Sequence, residues 1–95
     1  MITCDVHLGI VRRGDRRIDL SMQEYKLFLW FWLRPGRCFC TRELLSQVYG
    51  CKNHSFELKA AHMVYQTVKR INTKVGARVI KNKGRKYFMY EDGLA

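Results

Sequence analysis

Residues 20–45 read LSMQEYKLFLWFWLRPGRCFCTRELL, two apolar stretches separated by a proline-glycine break. The first opens on Ser21 with Glu24 three residues on, the spacing at which a hydroxyl and a carboxylate satisfy two backbone donors orphaned at a helix start. From there Tyr25, Phe28, Leu29, Trp32 and Leu33 recur at helical spacing, and Leu27, Trp30 and Phe31 widen the apolar surface beyond one stripe. Such a helix is buried over most of its surface or meets a second apolar neighbour. Pro35 and Gly36 end it, because proline cannot continue the hydrogen-bond ladder and glycine tolerates a reversed backbone. Thr41 then caps a second helix in which Leu44, Leu45 and Val48 face inward, with Gly50 at its end.

Downstream, residues 51–54 form a polar loop and Ser55 is the candidate cap of a third helix, residues 55–75. Its apolar positions are Ala60, Ala61, Val64, Val68, Ile71 and Val75. The opposite face is Lys59, His62, Tyr65, Gln66, Lys69, Arg70 and Thr73. Gly76 closes the helix. A strand at 78–80, the turn KNKGRK with Gly84 at its tip, and a strand at 87–90 follow. Upstream, residues 4–11 alternate with Val6, Leu8 and Ile10 on one face, and Gly14-Asp15 turns the chain into Ile18 and Leu20, a short hairpin. The predicted order is hairpin (1–20), three-helix core (21–76) and basic hairpin (77–90), an α+β chain of 95 residues in one domain.

Charge says what this order serves. Eighteen Lys and Arg face eight Asp and Glu, a net charge of +10 that points to a polyanionic partner. Within residues 58–90 stand Lys59, Lys69, Arg70, Lys74, Arg78, Lys81, Lys83, Arg85 and Lys86, half of all the cations, and no Asp or Glu. Two helices joined by a short glycine-containing turn, then a helix with one apolar and one basic face, is the layout of helix-turn-helix DNA binders. The terminal hairpin reads as a wing suited to a neighbouring minor groove or backbone.

At this point the residues resemble a known family. LSMQEYKLFLWFWLRPGRCFCTRELLSQVYG, then VYQTVKRINTKV, then VIKNKGRKYFMY is similar to the OmpR/PhoB-type winged helix-turn-helix domain of transcriptional regulators. Leu20, Ser21, Glu24, Pro35, Gly36, Arg42, Leu44, Leu45, Tyr49, Gly50, Gly84 and Tyr87 stand where that pattern puts them, over residues 18–89. The resemblance implies sequence-specific binding of double-stranded DNA. It places DNA-facing positions at His62, Thr67, Lys69, Arg70 and Asn72 of the recognition helix and at Lys81 and Lys83 of the wing, which Arg85 and Lys86 extend. Tyr65 and Gln66 join them from the exposed face of the helix. Where the family usually has an arginine near the end of the recognition helix, this chain has Asn72, and Lys86 replaces the second wing glycine. A winged helix at the start of the chain is closer to the ToxR/CadC-like branch, in which a membrane segment or another effector domain follows.

Other readings compete for particular residues. Cys38, Cys40, Cys51 and His54 are spaced as a zinc set on paper, but Cys38 and Cys40 of an extended chain point to opposite faces. A disulfide is the other alternative; the expectation is free thiols, buried or half-buried, and no metal or other cofactor. Trp30 and Trp32 are expected in the core, with one exposed indole as a partner surface the alternative, and Tyr87 is expected to pack the wing against the helix. The basic half holds no carboxylate pair or His-carboxylate arrangement, so no enzyme is expected. The alternative function is a protein-interaction module docking RNA polymerase, a secretion-system component or a homodimer mate through Trp30, Phe31 and Trp32. The longest apolar run, residues 27–33, is far short of the ~20 needed to span a bilayer, so the expectation is a cytoplasmic chain without membrane contact.

Overall fold

The computed structural model describes residues 2–49, 57–84 and 86–89. Gly50, Cys51, His54, Ser55, Arg85 and Tyr90, each given a part above, lie outside the described residues.

The chain starts with three antiparallel strands, β1 (Ile2–Asp5), β2 (Ile10–Arg13) and β3 (Arg16–Ile18), in the order β1-β2-β3. The single strand expected over residues 4–11 is broken. Asp5 accepts the backbone N–H of Leu8 on Oδ1 at 3.0 Å and that of Gly9 on its carbonyl at 2.8 Å, and Gly9 sits at φ 67. An aspartate that holds its own turn and a glycine in the left-handed region outweigh the alternation. Val6 and Leu8, expected on an inner face, are 45% and 70% exposed. The Gly14-Asp15 turn is as expected, with Arg13 opposite Arg16.

Helix α1 (Met22–Trp32) begins with the full capping box: Ser21 Oγ accepts from Glu24 N–H at 3.3 Å and Glu24 Oε1 accepts from Ser21 N–H at 3.0 Å. Its buried residues are Glu24, Leu27, Phe28 and Phe31, a stripe rotated from the expected one, leaving Leu33 56% exposed. The loop after it carries Gly36 at φ 79, whose N–H donates to Met89 at 2.8 Å. A two-residue strand, β4 (Phe39–Cys40), leads straight into α2 (Thr41–Gln47). Thr41 is the first helical residue rather than the cap; the cap position is Cys40, whose N–H donates to Glu43 Oε1 at 3.4 Å.

Helix α3 (Glu57–Val75) buries Val64, Val68, Ile71 and Val75 as its spacing predicts. With Leu27, Phe28, Phe31, Phe39 and Leu44 they form one core. Phe39 lies edge-on to both Phe31 and Trp30, with centroids 5.8 and 5.4 Å apart. The wing is β5 (Lys81–Lys83) and β6 (Lys86–Phe88), in a second sheet of order β4-β6-β5. Its strands thus reach closer to the tip than expected: Lys83 pairs with Lys86, and Gly84 sits at φ 60. Pairing of Phe39 with Tyr87 ties the wing to the helix-turn-helix. No described helix is long and apolar enough to cross a membrane.

Candidate nucleic-acid interface

With its apolar stripe turned to α1 and α2, helix α3 leaves a polar face outward. His62, Gln66, Lys69, Arg70 and Thr73 are exposed, and Tyr65 is 50% exposed. On the wing Asn82, Lys83 and Lys86 are exposed and Lys81 is half-buried. Between helix and wing runs an open groove of about 530 Å³, lined by Tyr65, Lys69, Thr73, Arg78, Asn82 and Tyr87 among others. Tyr87 is 4% exposed and forms part of the groove wall, as its expected packing role requires. Burial pushes its hydroxyl up from the ordinary tyrosine value, and nearby Tyr65 adds to the shift, so the phenol stays neutral. Thr73, Arg78 and Asn82 were not singled out as contact residues from sequence; their signal is proximity, which only the folded hairpin reveals.

Two expected DNA-facing residues are placed otherwise. Thr67 is 4% exposed, and its hydroxyl donates to the Met63 carbonyl at 2.8 Å. Lying three residues after Val64 and four before Ile71, it shares the apolar stripe, so its side chain is not presented outward. Asn72 is half-buried with both ends of its amide engaged. Oδ1 accepts from the N–H groups of Val79 and Ile80, each at 3.0 Å, and Nδ2 donates to the Ile80 carbonyl at 2.9 Å.

Lys74, Arg13 and Arg16 are among the cations engaged within the fold. Lys74 Nζ lies 2.6 Å from Oε1 of Glu24. Arg13 Nη1 donates to the carbonyls of Val75 and Gly76 at 3.0 and 2.8 Å, and Arg16 Nη2 to those of Lys74 and Val75 at 3.0 and 3.2 Å. Both guanidiniums therefore meet the negative end of the α3 dipole and its unpaired carbonyls. Gly76, at φ 80, leaves room for this: a Cβ there would stand 2.7 Å from Arg13 Nη1.

Of the proposed zinc residues, Cys38 is exposed, against the expectation of burial, and Cys40 is half-buried. Among the described residues no group of three His, Cys, Asp or Glu side chains is gathered to hold a metal. Cys4 lies half-buried by Tyr25, and burial pushes its thiol above the ordinary value.

No family model matches the sequence, and no curated protein matches it. Solved structures do match the fold. The DNA-binding domain of Bacillus subtilis CssR superposes with a TM-score of 0.78 at 20% identity, over 94% of this chain and 99% of that one. The Klebsiella pneumoniae RstA DNA-binding domain, solved in complex with the RstA box, gives 0.80 at 18% identity over 94% and 90%. The DNA-binding domain of the response regulator AdeR, in complex with an intercistronic region, gives 0.68 at 18% over 95% and 94%. The fold is that of response-regulator DNA-binding domains, the OmpR/PhoB-type winged helix.

Proposed function

We propose that this chain binds double-stranded DNA in a sequence-specific way as the effector domain of a transcriptional regulator, with α3 in the major groove and the wing on the adjacent backbone or minor groove. The observation that carries this reading is the exposure of Lys69 and Arg70 on α3 and of Lys83 and Lys86 on the wing, with no Asp or Glu between them in sequence, on a fold also seen in DNA-bound domains. His62, Tyr65, Gln66 and Lys69 are the base-reading candidates, each worth roughly 1–3 kcal/mol when it pairs well. Arg70, Lys81, Lys83 and Lys86 serve phosphates, and Arg85 is carried with them from the sequence.

The runner-up, docking of a protein such as RNA polymerase or a second copy through Trp30, Phe31 and Trp32, is less well supported. Phe31 is 0% exposed, and the Arg34 guanidinium lies 3.6 Å from the Trp30 ring centroid.

The test is fluorescence-anisotropy binding to random double-stranded DNA across a salt series, with wild type beside a Lys69→Ala, Arg70→Ala, Lys81→Ala, Lys83→Ala variant. Neutralising about six phosphates gives a slope of log affinity against log salt of about −5, which the variant largely loses. Binding without salt dependence, or binding the variant retains, refutes the proposal.

A further inference from the structure

Asn72 is the residue through which helix and wing are joined. Its carbonyl accepts from Gly76 N–H at 2.9 Å and Ala77 N–H at 3.2 Å, closing the helix. Its side chain then accepts from Val79 and Ile80 N–H and donates to the Ile80 carbonyl, one residue before β5 begins. Five hydrogen bonds from one residue thus fix the path from the last helical turn to the root of the wing.

Only a short amide does all of this. A carboxylate accepts the two N–H groups but cannot donate to Ile80; an arginine or lysine has no acceptor at all. The side with β4 is held independently, by the pairing of Phe39 with Tyr87. Without Asn72 the Ile80 N–H and the Ile80 carbonyl must be satisfied elsewhere, whereas the Val79 N–H keeps its bond to the Ala77 carbonyl at 2.9 Å.

Resting on the DNA reading above, we propose that Asn72 is a positioning residue: it touches no DNA but sets the wing against α3 so that Lys83 and Lys86 bear on the same duplex as Lys69 and Arg70. At a position where the family the chain resembles usually has an arginine, this chain has a residue that aligns two other cations.

Backbone amide exchange by NMR and the DNA salt series test it together. Asn72→Ala raises exchange at Ile80 at least tenfold, and less at Val79, which keeps the Ala77 carbonyl, while Leu44 and Val64 stay protected; Asn72→Asp, which keeps both acceptor contacts, restores protection. In the DNA assay Asn72→Ala makes the salt slope shallower by about 2, the share of two phosphate contacts. Adding Lys83→Ala and Lys86→Ala to Asn72→Ala then changes little, because those lysines are already misaligned. Unchanged exchange at Val79 and Ile80 overturns the clamp. An unchanged slope, or full additivity with the lysine changes, overturns the positioning role. A wild type that shows no salt-dependent binding overturns the DNA reading and the positioning role with it, and the exchange data alone then decide whether the clamp exists. If Asn72→Ala fails to fold, Asn72→Asp carries the exchange test, and its failure to protect the two amides is equally decisive.

Discussion

The ammonium of Lys74, near the end of α3, lies 2.6 Å from a carboxylate oxygen of Glu24, a residue 5% exposed in the first turn of α1. One carboxylate therefore both caps α1 through Ser21 and anchors α3. Removing it by Glu24→Ala leaves Ser21 N–H and Lys74 without their partner. The Lys74 side chain is 42% exposed, so solvent takes up part of the loss, and about 2 kcal/mol of unfolding free energy is the expected cost. Urea denaturation reads it directly.

The same pair sets a pH dependence. Burial opposes ionisation of Glu24, but the hydrogen bond from Lys74, the Ser21 backbone N–H and the lysine charge outweigh it and hold the carboxyl below its ordinary value. A lowered native value means that the folded state takes up the proton less readily than the unfolded chain. Its contribution is whole above the ordinary carboxylate range and is lost as pH falls through the lowered value. The stability gap between wild type and Glu24→Gln is expected to narrow over that acidic range and to stay level from pH 5 to 8.

Gly76→Ala and Gly36→Ala form a matched pair, since both glycines sit near φ +80 but only Gly76 has a neighbour in the path of a Cβ. The backbone cost, about 1–2 kcal/mol, is common to both. Displacing Arg13 from the helix terminus adds about 1 kcal/mol at Gly76. That excess is expected to vanish in an Arg13→Ala background, and a double-mutant cycle in denaturant measures it.

Thr67→Val is expected to leave DNA affinity within about twofold, because the hydroxyl it removes points to Met63 within the same helix. Lys69→Ala, at an exposed residue two positions before buried Ile71, is expected to reduce the salt slope by about 1. Anisotropy titrations of the two variants at several salt concentrations separate an inward from an outward residue.

Phe31→Ala is expected to cost about 3–5 kcal/mol, since the ring is 0% exposed and packed edge-on against Phe39. Leu33→Ser, at a residue 56% exposed, is expected to stay within about 0.5 kcal/mol. Thermal denaturation distinguishes them, and shows whether any loss of partner capture in a Phe31 variant is only a loss of fold.

What could be read from sequence was local. Ser21 and Glu24 announce their capping box by spacing alone, and Val64, Val68, Ile71 and Val75 announce a buried stripe. Thr67 was misread because its chemistry suggests a surface and its register does not. Val6 and Leu8 were misread because an accidental alternation concealed the turn held by Asp5 and Gly9. The wing strands were placed too far from the tip, since a basic polar stretch such as KNK carries little strand signal of its own. The roles of Asn72, Arg13 and Lys74 depend on partners brought close only by the fold; the side chains of Glu24 and Lys74 are 50 residues apart in sequence.

The arginine contacts at the end of α3 span 58 to 63 residues of sequence. Bonds of such separation form only after a long loop has closed, so they come late on the path from the unfolded chain. The first strands synthesised wait for the last turn of the third helix, and that turn is not finished until they arrive. A shortened chain beginning after β3 would therefore fray at the far end of α3, next to the wing, although the missing strands belong to the other sheet.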